Sequence, residues 1–120
     1  MAVNGVKSRV REYFHRLLNK KDLSVCDELL APDYVDHDAG PDSPPGPKAT
    51  REWVADFLDV YPDMGICIED LFAEGDRVAV RLTWEGTHRQ TGERIQKMGI
   101  VILRMDGTGR IAERWSAYDG

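Results

Sequence analysis

The sequence predicts a single α+β domain in which the helices come first and the strands afterwards. Apolar residues recur at three- and four-residue spacing as far as Tyr61, whereas the stretches after Met64 are rich in β-formers and broken by "EGD", "TGE" and "DGTG". Segregation of this kind indicates α+β rather than the alternating units of a parallel sheet. The 120 residues, 42% of them hydrophobic, suffice for one core and are too few for two independent domains, so residues 1–120 are read as one unit.

Val3, Val6, Val10, Phe14, Leu17 and Leu18 form the stripe of a first amphipathic helix, with Lys7, Arg9, Arg11, Glu12 and Arg16 largely between them. Asp22 is the expected N-cap of a shorter second helix carrying Leu23, Cys26, Leu29 and Leu30, which Pro32 prevents from continuing. "DYVDHD" reads as a short extended piece. The next segment, "AGPDSPPGPKAT", holds four prolines and two glycines and is expected to be an irregular loop, a candidate pocket lid. Trp53, Val54, Phe57, Leu58 and Tyr61 mark a third helix, with Thr50 as its cap and Pro62 as its stop. Residues 64–72, 77–88, 95–105 and 110–118 then predict a four-stranded antiparallel meander.

Composition removes several function classes. The net charge is −5 and there is no basic run, which argues against nucleic acid as a partner. The longest apolar run, residues 99–103, is far below the roughly 20 residues of a membrane span, and no basic-then-apolar leader precedes the first helix. A cytoplasmic protein without a membrane partner is expected. Cys26 and Cys67 lack metal spacing and disulfide density, and three scattered histidines make no zinc signature, so neither metal nor other cofactor is expected. No phosphate-binding Gly-rich loop and no Gly-x-Ser-x-Gly elbow occurs.

The order helix, helix, "LLAPDYVDHD", Pro-rich loop, "REWVADFLDVYPD", "IEDLFAEGDRVAVRLTWEGTH", "ILRMDGTGRIAERW" resembles the SnoaL-like polyketide and ester cyclases of the nuclear transport factor two-like superfamily. The resemblance implies three N-terminal helices packed on a strongly curved antiparallel sheet, a cone-shaped barrel with an internal pocket, and a homodimer formed through the sheet. It also implies an intramolecular aldol closure by an acid/base aspartate without metal. By position that aspartate falls at Ser116, and its histidine partner at Val101. Neither residue type is present, and "RQTGERIQ" replaces the family's longer excursion after "GTH".

A base that removes a proton from carbon needs a desolvated carboxylate or imidazole, together with a partner for the oxyanion that develops. Asp36 and His37, beside Asp38 at the end of the short extended piece, are the expected base and acid, although a turn-capping Asp36 beside a half-exposed His37 is the plainer alternative. Strand alternation groups Arg114, Ser116 and Tyr118 on one face of the last strand, opposite Glu113, Trp115 and Asp119. Arg114 is the expected electrostatic partner. A bulge would bring Asp119 inside instead. Trp84, by parity with Val78, Val80 and Leu82, and His88 at the strand end are further pocket-lining candidates, alongside Val101; a hydrogen-bonded turn is the plainer role for His88.

Three functions fit these residues. The first is acid/base chemistry of cyclase or isomerase type on an apolar carbonyl compound. The second is a non-catalytic ligand-binding or dimerisation module. The third is epoxide or ester hydrolysis, for which Asp36 and Asp119 would supply the carboxylates.

Overall fold

The structure, a computed structural model, describes residues 3–119, with side chains from residue 5 onward. The first amphipathic run forms α1, Val3–Phe14, and then widens into a π turn, His15–Asn19, in place of one uniform helix. The turn delivers Asn19 to the sheet, where its amide accepts from Ile66 N (2.7 Å) and donates to Ile66 O (3.1 Å). One side chain thus completes two groups of an edge strand that would otherwise be unpaired. Lys21 follows at φ 58°, a left-handed conformation uncommon for a residue with a Cβ, and its Nζ ties back to Met64 O at 2.9 Å.

The second helix, α2, is only Val25–Leu29, but it buries Val25, Cys26 and Leu29. Its N-cap residue is Ser24 rather than Asp22; the Asp22 carboxylate instead accepts from the Ser24 amide and hydroxyl just before the helix. α2 runs directly into β1, Leu30–Asp36, which pairs in parallel with the last strand. The sheet is therefore mixed and five-stranded. Its order is β1-β5-β4-β3-β2, with β2 at Gly65–Glu74, β3 at Arg77–Thr87, β4 at Arg94–Met105 and β5 at Ile111–Tyr118. Pro32 is tolerated because β1 is an edge strand whose register slips between Leu30 and Val35.

Between residues 37 and 46 the chain has no regular structure, as its prolines require. Gly46 ends the segment at φ 104°, its N–H bonded to Tyr34 O at 2.7 Å, and Pro47 opens α3, Pro47–Val60. Helix α3 therefore starts a turn earlier than Thr50, because proline is preorganised for the first helical position and glycine alone suits that backbone geometry before it.

Helix α1 and the concave face of the curved sheet share one core. Val6, Val10, Phe14 and Leu17 meet Val78, Val80 and Leu82 of β3, Val101 and Leu103 of β4, and Ile111 of β5. Each such buried valine or leucine contributes roughly 1.5–3 kcal/mol. Helix α3 packs chiefly on α2 and β1 instead of the middle of the sheet, with Val54 its buried residue. A gap remains beneath it. Among the described residues no helix is long and apolar enough to cross a membrane.

Candidate functional site

The gap is a cavity of about 730 Å³ enclosed by the end of α1, β1, the Pro-rich segment, α3 and the inner faces of β3 to β5. Phe14, Leu17, Val54, Phe57, Met64, Ile66, Leu82 and Trp84 make its wall apolar. Its polar groups come mostly from the β1 and β5 edge: Tyr34, Asp36 and Asp38 from the first strand and the residues after it, and Arg114, Ser116 and Tyr118 from the last. Parallel pairing sets Asp36 directly opposite Arg114.

Strand alternation decides the Asp36/His37 pairing, because neighbours on a strand point to opposite faces. Asp36 lines the cavity. His37 instead lies on the outer face, with its ring stacked on Trp115 (4.7 Å between centroids) and its Nε2 2.7 Å from Glu113 Oε2. The two cannot form one acid/base dyad. Asp36 Oδ1 accepts from Asp38 N at 3.0 Å, and Asp38 Oδ2 in turn accepts from Ser116 N at 2.6 Å, carrying the β1–β5 ladder past the end of the strand.

Arg114 is half-buried, and Nη2 donates to Tyr118 Oη at 2.7 Å. Its Nε has no partner, and no carboxylate lies within ion-pair distance among the described residues. Burial opposes its charge, yet Tyr118, Tyr34, Tyr13 and Asp36 together favour it, and the net shift is upward. Burial also raises both Tyr34 and Tyr13, so both are neutral phenols at physiological pH. The Tyr13 hydroxyl has no hydrogen-bond partner. Leaving such a donor unsatisfied costs about 1–3 kcal/mol.

Tyr118 is positioned by a glycine. Gly99 faces it across the β4–β5 pair, and a Cβ there would collide with the Tyr118 ring. The ring lies over the bare backbone of β4, which leaves its hydroxyl beside Arg114.

The other sequence candidates fall elsewhere. Trp84 and Ser116 line the cavity. Val101 is completely buried in the core under the sheet and does not reach the cavity lining. His88 organises its turn, its N–H donating to Glu93 O and its Nδ1 accepting from Gln90 N and Thr91 N. Asp119 exchanges bonds with Met98, accepting Met98 N at 3.2 Å and donating to Met98 O at 3.0 Å. No inverting bulge occurs at the end of β5, so Asp119 stays outside the lining. Among the described residues no three His, Cys, Asp or Glu side chains cluster as a metal site would require.

Tyr13 and Tyr34 are site residues that the sequence reading passed over. Tyr13 sits beside Phe14 in the helical stripe and reads as core. Tyr34 shares parity with Asp36 along β1, and that alternation was the available signal.

Helices over the concave face of an open, curved sheet, with a cavity between them, define an α+β domain of the nuclear transport factor two-like class. Within that class the chain belongs to the SnoaL-like polyketide cyclase family, whose model matches residues 8–120. TsrD from Streptomyces laurentii shares the fold with a TM-score of 0.89 at 23% identity, over 99% of this chain and 91% of TsrD. IdmH from Streptomyces antibioticus, a candidate polyketide cyclase, gives 0.80 at 26% identity, over 95% of this chain and 91% of its own. AclR from Streptomyces galilaeus, a candidate hydroxylase, gives 0.83 at 24% identity, over 98% and 91%. No curated protein matches this chain.

Proposed function

We propose that the cavity binds an apolar carbonyl compound and that Asp36 performs metal-free acid/base chemistry on it, of cyclase or isomerase type, with Arg114 as the electrostatic partner. The observation that carries this reading is the placement of Asp36 in register with Arg114 on the polar edge of a cavity whose remaining wall is largely apolar. Asp36 takes the proton from the carbon next to the carbonyl, and the electron pair left behind delocalises onto the carbonyl oxygen. Arg114 stabilises that oxygen, assisted by phenol donors that burial keeps protonated. In a cyclase the enolate carbon then attacks a second carbonyl of the same molecule, and the resulting alkoxide takes up a proton.

Ser116 stands where the resemblance calls for an aspartate, and a serine without an adjacent activator is no base near neutral pH. Adjacent strands lie about 4.8 Å apart, so a carboxylate on β1 can serve the space that a β5 carboxylate would. The test is Asp36→Asn, which keeps size and removes charge. Turnover of a carbonyl substrate found by a binding screen falls about 100-fold or more, with the melting temperature held near wild type.

Ser116 and Val101, in place of the aspartate and histidine, favour a second reading, a binding module without turnover. Saturable ligand binding with an Asp36→Asn rate equal to wild type would select it. The hydrolase reading loses one of its two carboxylates, since Asp119 is engaged by Met98. For partners, a second copy of this chain is proposed on the outer face of the sheet, where Phe72, Met98, Ile100 and Ile102 are exposed.

A further inference from the structure

An arginine offers five N–H donors, and the protein uses one of those on Arg114, the bond to Tyr118. The guanidinium sits inside a cavity wall without an ion pair, whereas Arg16 and Arg104 each pair with a carboxylate in reach. Asp36, its register neighbour, favours its charge but makes no hydrogen bond or ion pair with it; the Asp36 carboxylate accepts from Asp38 N instead. Tyr118 Oη accepts from Arg114, so its own hydroxyl hydrogen stays available to an acceptor in the cavity. Two donors therefore stand side by side, and Gly99 is the reason they do.

We infer that Arg114 and Tyr118 form an anion-recognition subsite within the cavity, and that the ligand carries a carboxylate on its apolar body. This rests on the reading of the cavity as a small-molecule site and adds the chemical class of its ligand. A carboxylate oxygen takes the Tyr118 hydroxyl and one guanidinium N–H. The remaining hydrogens on Nη1 and Nη2 are left for the carbonyl oxygen at which reaction occurs. Charge-assisted bonds of this kind are about twice as strong as neutral ones, and an apolar surround strengthens them further. Asp36 and Asp38 oppose an anion in the same cavity; each already accepts a backbone N–H. Lys97 is the other cation in the lining.

The test compares 2-naphthoate with methyl 2-naphthoate, two probes of one shape that differ in charge, by calorimetry at neutral pH. The acid binds wild type about tenfold or more tighter than the ester, the gain of one or two charge-assisted hydrogen bonds. Tyr118→Phe, at an exposed ring that keeps its packing, and Gly99→Ala, which displaces that ring, each shrink the preference several-fold. Arg114→Met abolishes it. Asp36→Asn separates the two readings, because it removes turnover while tightening 2-naphthoate by removing a like charge. Equal binding of acid and ester, failure of both to bind at millimolar concentration, or a preference that survives in Tyr118→Phe and Arg114→Met would overturn the subsite. Loss of turnover in Asp36→Asn alongside no acid preference in wild type would retain the proposed chemistry and still overturn the subsite.

Discussion

The two faces of β5 treat their charges in opposite ways. On the outer face Glu113 is fully engaged, accepting from Arg104 Nε and facing His37 Nε2 at 2.7 Å, while Arg77 lies 4.9 Å over the Trp115 ring. One residue along, on the inner face, Arg114 keeps a single bond and Tyr13 across the cavity keeps none. Outside, water would solvate those charges in any case, so their pairing contributes modestly and serves to join β1, β4 and β5. Inside, unmet donors carry a cost that a fold built for stability alone would remove. The contrast teaches where to look for function: the paired charges hold the sheet together, and the unmet donors line the cavity, where the proposed ligand would meet them.

The largest effect that can break this contrast is on rate. Asp36→Asn and His37→Gln alter adjacent residues on opposite faces, and the first lowers turnover about 100-fold or more while the second leaves it within about twofold of wild type. A matched loss in both variants would return His37 to the mechanism. The outer face is next. Ile100→Lys places a charge in the middle of the exposed apolar patch and is expected to shift the protein from dimer to monomer at micromolar concentration, as light scattering would show. A wild-type protein that scatters only as a monomer ends the proposed pairing of copies through the sheet.

A smaller effect sharpens the inner face. Tyr13 is 1% exposed, and changing a buried residue normally destabilises; Tyr13→Phe, however, removes a hydroxyl with no partner. Its unfolding free energy is expected to stay level or rise by up to about 1 kcal/mol in a denaturant titration. A loss of about 2 kcal/mol or more would mean that the hydroxyl is satisfied in solution.

The smallest effect concerns pH on the outer face. His37 first, and then Arg104, hold the Glu113 carboxyl below its ordinary value of 4.5. A group whose pKa is depressed on folding adds stability that is fully present above the unfolded value and is lost as pH falls through the folded one. Glu113→Gln therefore lowers the melting temperature slightly at neutral pH, and the difference from wild type closes as the pH falls below the ordinary carboxyl value of 4.5. A difference that grows on acidification contradicts this assignment.

Local chemistry made much of the fold legible. The apolar stripe of α1, the stop at Pro62, the glycine turns and the four later strands follow from spacing and backbone restrictions that act over a few residues. The start of α3 is less legible: Thr50 reads as the cap and Gly46 and Pro47 read as loop, whereas the helix opens at Pro47. Alternation groups Arg114, Ser116 and Tyr118 on one face, and the resemblance at Ser116 implies that this face is the inward one.

What alternation could not reveal is which strand lies beside which. The sequence by itself determined an α+β chain with one core, the faces of its strands, and a family resemblance that names a pocket. Only the tertiary structure decided that "LAPDYVD" joins the sheet in parallel beside β5, because strand pairing across some 80 residues of chain depends on where a free edge is left, not on local propensity. That one pairing sets Asp36 opposite Arg114, sends His37 to the outer face, and brings Tyr34 into the cavity. The same holds for Gly99, which in sequence is one more glycine in a strand and in space is the room that Tyr118 needs to reach Arg114.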